Sequence, residues 1–277
     1  MADQYAVIGN PVEHSLSPAI HAEFARATGQ DIVYGKILAP LDGFRAAALT
    51  FRDEGGKGLN VTLPFKHEAW QLAGLRSGFA LAAGAINTLT FRGDEIVGDN
   101  TDGIGLVRDL LRNLRVVLRG KRLLLMGAGG ASYGVIEPLL REEPERMVVA
   151  NRTVEKAIAL VSHFEKFQQY AAHGLAASSY RDLRGMQFDV VINATSAGLA
   201  DTMPPLPPGV FAPGALAYDM VYAKCTPFMA FGDKQGARVS DGLGMLVEQA
   251  AESFFIWRGV YPETRAAMAM LRRRMPT

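Results

Sequence analysis

Short apolar runs recur along this 277-residue chain. Each is closed by glycine, proline or a small polar residue, and most are followed by apolar positions at helical spacing. Residues 5–8 predict a strand closed by Gly9-Asn10-Pro11. Residues 17–28 predict a helix, with Ser17 as N-cap and Pro18 at the first helical position. A strand over 32–37 and a helix over 41–51 follow. A glycine-rich turn at 55–58 then leads into a buried strand over 59–63, which Pro64 cannot continue because it lacks a ladder donor. Residues 68–81 read as helix, and 84–89 as an apolar strand carrying one odd polar residue, Asn87. The polar turn 97–102 precedes a helix with apolar Ile104, Val107, Leu110, Leu111 and Leu114. From there the alternation starts afresh. Strands are expected over 123–126, 147–150, 188–193, 216–221 and 238–239, with helices through 140, from 227 and from 245, and a proline-rich loop over 203–213. Strand and helix in alternation predict an α/β fold with mostly parallel sheets, here as two α/β domains.

Composition narrows the function. Hydrophobic residues make up 49%, enough for two real cores. Lysine plus arginine number 29 against 28 for aspartate plus glutamate. That balance excludes the net basic field of a dedicated nucleic-acid or membrane-surface protein. Cys225 is the one cysteine, so no intrachain disulfide is possible and a reducing, cytoplasmic setting is expected. Residues 1–8 lack the pattern of a signal peptide, and no run approaches the ~18 apolar residues of a membrane span. The five histidines show no metal-ligand spacing, so no metal site is expected.

Several polar residues stand where chemistry is usually placed. Thr62 and Lys66 fall at or just past a strand end, the position at which open α/β sheets present ligands. A lysine there is a candidate proton-transferring group. Ser15 and Ser17 lie on a loop beside a helix start, whose free N–H groups favour a small anion. Asn87, in an apolar strand, must be hydrogen-bonded. Asp102, taken alone, reads first as a helix cap, whose charge the helix dipole favours, and only second as a site residue. After the strand 123–126 comes Gly127-Ala128-Gly129-Gly130-Ala131, the strand, glycine turn and helix of a dinucleotide site, with Ser132 in the third glycine's place. The next strand ends in Asn151-Arg152-Thr153, with Lys156 beyond. An NAD site would carry an acidic residue here. Arg152 and Lys156 fit a 2′-phosphate, hence NADP.

Taken together, these stretches resemble the shikimate dehydrogenases, and the resemblance runs essentially end to end. It is carried by Gly9-Asn10-Pro11 with Ser15-Leu16-Ser17-Pro18, Asn60-Val61-Thr62 with Pro64-Phe65-Lys66, and Gly84-Ala85-Ile86-Asn87-Thr88. It continues through Asn100-Thr101-Asp102-Gly103, the glycine turn, Asn151-Arg152-Thr153, Asn193-Ala194-Thr195-Ser196 and Asp241-Gly242-Leu243-Gly244-Met245. The resemblance implies a substrate domain (1–102, completed by 240–277), an NADP-binding Rossmann domain (103–239), and a cleft between them. It implies reversible, NADPH-dependent reduction of 3-dehydroshikimate to shikimate, in aromatic amino-acid biosynthesis. The partners it implies are small molecules, with no nucleic acid and no membrane, and a monomer or homodimer. Ser15 and Ser17 would hold the substrate carboxylate. Thr62, Asn87, Asp102, Tyr222 and Gln249 would bind ring hydroxyls, and Lys66 with Asp102 would form the catalytic pair. Thr195, Met220 and Gly242 would lie by the cofactor. Two departures stand out: Gly78 replaces an acidic residue found in some relatives, and residues 222–227 are one residue shorter than in some.

Other readings compete less well. A quinate/shikimate dehydrogenase using NAD would carry an acidic residue at Arg152. A folate-type dehydrogenase does not need the paired serines or Asn87. A non-catalytic sensor would have lost Lys66 or Asp102 and gained a nucleic-acid-binding part.

Overall fold

The computed structural model describes residues 2–167, 174–195, 197 and 201–275. Ser196 of the quoted motif and His173, one of the five histidines, lie outside them. The chain forms two compact units, Met1–Gly105 with Leu246–Thr277, and Leu106–Met245.

The first unit runs β1 (Asp3–Gly9), α1 (Ser17–Thr28), β2 (Ile32–Leu38), α2 (Phe44–Asp53), β3 (Gly56–Val61), α3 (Lys66–Leu72), β4 (Leu75–Arg76), α4 (Gly78–Ala83), β5 (Thr88–Arg92) and β6 (Glu95–Asp99). It includes the start of α5 (Asp102–Arg108), which continues as a π-turn over Asp109–Asn113. The sheet order is β2-β1-β3-β5-β6-β4. All neighbours are parallel except β5, which runs antiparallel to both β3 and β6. The core is a sandwich of apolar strand residues, Ile8, Leu59 and Leu89, against helix residues, with Phe44 stacked on Phe65 at 5.2 Å.

The second unit runs β7 (Arg122–Met126), α6 (Gly130–Arg141), β8 (Arg146–Ala150), α7 (Val154–Glu165), β9 (Leu175–Ser178), β10 (Phe188–Asn193), β11 (Phe211–Asp219), α8 (Pro227–Lys234) and β12 (Arg238–Ser240). Its sheet is all parallel in the order β12-β11-β10-β7-β8-β9. That is the doubly wound order whose switch point lies between β7 and β10. The central strands β7, β8 and β10 are apolar and buried on both faces, as helix-covered parallel strands must be. α9 (Leu243–Arg258) and α10 (Thr264–Arg274) complete the chain.

Five local expectations are corrected. The glycines at 55–58 do not make a turn throughout, because β3 begins at Gly56. Gly58 is needed for close approach: a Cβ there would sit 2.5 Å from Trp257 Nε1 and 2.7 Å from the Leu89 carbonyl oxygen. Trp257 donates to that same carbonyl at 3.1 Å and stacks on Tyr5 at 4.6 Å. The strand also stops at Val61, short of Leu63. The helix expected over 68–81 is broken in two. Gly74 and Ser77 donate their N–H groups to Ile96 and Gly98 of β6, so the edge of the sheet takes the backbone between α3 and α4. The Ser77 hydroxyl then caps α4 by accepting from Ala80 N–H. The Arg76 guanidinium beside that break lies over the Trp70 ring at 4.2 Å. Part of the turn expected at 97–102 is strand, paired with β5 in a hairpin whose ends are Arg92 and Glu95. Finally, Ser17 is the first helical residue and makes no cap bond. Its own N–H is accepted by Ser15 Oγ at 3.3 Å, so Ser15 satisfies the helix start.

His21 on α1 is fully buried and stacks on Tyr34 at 4.1 Å. Neither ring nitrogen has a hydrogen-bond partner among the described residues. Burial pushes the imidazole from 6.5 down to about 3, the Asn60 side chain opposing. The folded value lies below the unfolded one, so the unfolded chain takes up the proton first. The stability tied to neutral His21 is complete above pH 6.5 and is lost as pH falls towards 3. Between pH 7 and 5 this amounts to about 2 kcal/mol. His21→Phe keeps the ring and removes the titration. Its urea midpoint is expected to fall less than that of the unsubstituted chain over that interval. Equal falls would remove His21 as a cause of acid sensitivity.

Candidate active site

In the first unit the polar residues gather where β1, β3 and β5 meet. Thr62 follows β3 directly, and its N–H donates to the Ile8 carbonyl oxygen at 3.0 Å. Lys66 opens α3, and its carbonyl oxygen accepts from Ile86 N–H at 2.9 Å, which ties α3 to the segment carrying Asn87. Asn87 lies one residue before β5, yet its backbone extends the ladder: its carbonyl oxygen accepts from Val61 N–H and its N–H donates to Asp99. Asp102 opens α5, with its N–H held by Asn100 Oδ1 at 3.1 Å. Asn100 therefore does the capping, and the Asp102 carboxylate is left to face the cluster.

Lys66 Nζ lies 2.5 Å from Asp102 Oδ2. The other carboxylate oxygen accepts from Asn87 Nδ2 at 2.8 Å. The orientation of that amide is fixed chemically, because its Oδ1 accepts from Thr101 N–H at 2.9 Å while its Nδ2 faces a carboxylate. Gln249, on α9, brings Oε1 to 3.4 Å from Asn87 Nδ2, its own Nε2 being held by the Leu246 carbonyl oxygen. Lys66, Asp102 and Gln249, partly accessible, thus form one cluster around the buried Asn87. The Lys66 side chain is 28% exposed and that of Asp102 14%. Ser17 lies near the buried Tyr34 hydroxyl, which burial pushes well above its usual range while Ser17 opposes. Tyr34 in turn donates to Asn60 Oδ1 at 2.6 Å. Asn60 and Tyr34 escaped the sequence reading. Asn60 stood inside a quoted motif, but Tyr34 had no distinguishing spacing.

In the second unit a cavity of about 620 Å³ opens at the carboxyl ends of β7 and β8. Gly127, Ala128, Gly129, Gly130, Ala131, Asn151, Arg152, Thr153, Lys156 and Thr195 all line it. Gly127 has φ +103°, and a Cβ there would come within 3.1 Å of the Thr195 methyl, so no other residue fits without strain. At Gly129 and Gly130 a Cβ would meet no atom within 4 Å. The backbone at the start of α6 is bare, as close approach of a pyrophosphate requires. Ser132, in the third glycine's place, is buried and turns its hydroxyl back onto the Gly127 carbonyl oxygen at 2.8 Å. The missing glycine is thereby replaced by a bond that holds the turn.

Arg152 and Lys156 are exposed, and no carboxylate pairs with either among the described residues. Tyr180 lines the same cavity; burial pushes its hydroxyl up to about 12, with Arg152 opposing. These groups fit a dinucleotide with a 2′-phosphate. Thr195 is fixed by Asn193, whose Oδ1 accepts both its N–H and its hydroxyl and whose Nδ2 donates to Asp219. Met220 and Gly242 do not line the cavity. They pack on each other, with the Met220 carbonyl oxygen 2.3 Å from where a Gly242 Cβ would be. Tyr222 is half-buried in the second unit, and burial raises its hydroxyl. At Gly78, where some relatives were expected to differ, a Cβ would meet open space.

Sequence models of three families match the chain: the shikimate dehydrogenase substrate binding domain over residues 7–89, shikimate / quinate 5-dehydrogenase over 109–200, and the shikimate 5′-dehydrogenase C-terminal domain over 242–271. The shikimate dehydrogenase (NADP(+)) of Nitrosospira multiformis is 57% identical, over 98% of this chain and 98% of its own length. Among solved structures, an Ael1 enzyme from Pseudomonas putida is 48% identical with TM-score 0.91, covering 98% of both chains. Shikimate 5-dehydrogenase from Thermus thermophilus, in complex with NADP(H) and shikimate, is 31% identical with TM-score 0.86, over 99% of this chain and 100% of that one. Since the identity spans both units rather than the dinucleotide-binding half alone, the chain belongs to the shikimate dehydrogenase family.

Proposed function

We propose that the chain catalyses the reversible, NADPH-dependent reduction of 3-dehydroshikimate to shikimate in the cytoplasm, using the residues described above. The observation that carries the reading is the Lys66–Asp102 pair, held by Asn87 and flanked by Gln249. NADPH supplies the hydride. Hydride arriving at the keto carbon leaves negative charge on its oxygen, and Lys66 donates the proton that neutralises it. Asp102 holds the ammonium in place and accepts a hydrogen bond from a neighbouring ring hydroxyl. In the reverse direction neutral Lys66 takes the proton back.

The neutral donors and acceptors of Thr62, Asn87, Tyr222 and Gln249 suit a small polyhydroxy acid, which an apolar pocket could not select. Ser15 and Ser17, at the start of α1, suit its carboxylate. Met220, Thr195 and Gly242 would lie by the cofactor, Met220 near the nicotinamide, and Arg152 and Lys156 would hold the 2′-phosphate. A steady-state assay crossing shikimate and quinate with NADP and NAD tests the whole reading. Shikimate with NADP is expected to be the best pair, and equal turnover of quinate would favour the broader quinate/shikimate activity.

Charge-assisted hydrogen bonds contribute roughly 1.5–3 kcal/mol. Arg152→Ala is therefore expected to raise KM for NADP by about 10- to 100-fold and to leave KM for NAD nearly unchanged. Equal losses with both cofactors would rule out a 2′-phosphate contact. General acid–base groups contribute about 10²–10⁴-fold, so Lys66→Ala is expected to lower kcat by that factor with little effect on shikimate KM. Asp102→Ala is expected to harm both constants. The double variant should lose much less than the product of the two, since the residues act as a unit. A Lys66→Ala enzyme retaining more than half of kcat would overturn the mechanism.

A further inference from the structure

The first unit holds a buried hydroxyl that this mechanism leaves unused. Ser253 lies on α9 one turn beyond Gln249 and is fully buried. A serine inside a helix commonly turns back on the carbonyl one turn before and does nothing more. Ser253 Oγ does lie 3.1 Å from the Gln249 carbonyl oxygen, but it is also 2.9 Å from Asn60 Nδ2 and 2.8 Å from Thr88 Oγ1. The direction of these bonds follows from the donors available. Asn60 Nδ2 can only donate. Thr88 gives its proton to Asn87 Oδ1 at 2.9 Å. Ser253 therefore accepts from Asn60, and its single proton is shared between the Gln249 carbonyl oxygen and Thr88 Oγ1. The contacts link the Tyr34 hydroxyl through Asn60, Ser253 and Thr88 to Asn87, and Asn87 Nδ2 to the Asp102 carboxylate, with Thr101 Oγ1 also 3.3 Å from Ser253 Oγ.

We propose that Ser253 is a positioning residue that sets Asn87 and Gln249 as a pair for the ring hydroxyls of the substrate. It reaches Asn87 through Thr88, and it fixes the rotation of α9 at Gln249 by anchoring that face of the helix to Asn60 and Thr88. The inference rests on the functional reading of Asn87 and Gln249 given above. The site tolerates loss of the hydroxyl. Asn60 Nδ2 retains the Asn87 carbonyl oxygen and Thr88 Oγ1, both at 3.2 Å, and alanine is a better helix former than serine.

Kinetics of Ser253→Ala and Ser253→Thr on the full chain test the proposal, with thermal melting to verify folding. Loss of one neutral hydrogen bond predicts a rise in shikimate KM of roughly three- to tenfold in Ser253→Ala, with kcat within about twofold and KM for NADP unchanged. Ser253→Thr, which keeps the hydroxyl, restores KM. A merely structural role would instead lower kcat through fewer active molecules and leave KM alone. A folded Ser253→Ala with unchanged shikimate KM overturns the proposal, as does a threonine variant no better than alanine. A second readout needs no turnover: the side-chain amide resonances of Asn87, identified by their loss in Asn87→Asp. These should move in Ser253→Ala and return in Ser253→Thr, and amide resonances that stay put overturn the positioning role. Failure of the unsubstituted chain to oxidise shikimate would instead overturn the functional reading, leaving the amide readout to decide on Ser253.

Discussion

The polar end of the first unit depends on one buried amide. Asn87 faces a backbone N–H on one side and a carboxylate on the other, so it has only one orientation in which both are satisfied. A reversed amide would oppose donor to donor and acceptor to acceptor, and would leave buried groups unpaired at a cost of about 1–3 kcal/mol each. With the amide fixed, the Asp102 carboxylate has one oxygen engaged and the other free to hold Lys66. The same residue extends the ladder between β3 and β5 through its backbone. Strand pairing and the geometry of the ion pair are therefore set together.

The second unit meets the same demand in the same way. Asn193 ends β10, fully buried, and its amide links Asp219 at the end of β11 to Thr195 beside the cofactor cavity. Asp219 is further satisfied by Thr226 and by Val221 N–H. In both sheets an asparagine ends or adjoins a strand, where the ladder no longer serves the backbone and side chains must take over. Two chemically different tasks, holding an ion pair and shaping a dinucleotide cavity, rest on the same solution.

Much of this was legible in the sequence, for identifiable reasons. Strands β7, β8 and β10 are short, apolar and closed by glycine or asparagine, so their positions could be read directly, whereas β9 was not foreseen and β11 begins at Phe211, inside the expected loop. Lys66, Asn87 and Asp102 stood out as polar residues at apolar strand ends or a helix start. What escaped depended on contacts distant in sequence. The glycines at 56 and 58 looked like a turn because nothing nearby shows that Phe51 and Trp257 occupy the space a side chain would need. The stretch 68–81 looked helical because its apolar spacing is helical. Its interruption comes from β6, which takes the backbone bonds of Gly74 and Ser77. Ser15 and Ser17 both stand out, but local spacing points to Ser17 as the cap, whereas it is Ser15 that accepts the helix N–H. Ser253 is an ordinary serine on an apolar helix until Asn60 and Thr88 are brought to it.

Both tryptophans belong to the first unit: Trp257, filling the space opposite Gly58, and Trp70, beneath Arg76. The stretch 106–245 contains none. Indole emission thus reports the environment of one unit alone, while far-ultraviolet circular dichroism reports both. Melting curves from the two probes superimpose only if the units lose their structure in a single cooperative step. The placement of two side chains thereby equips the native chain with an internal optical label for the independence of its halves, with no added dye.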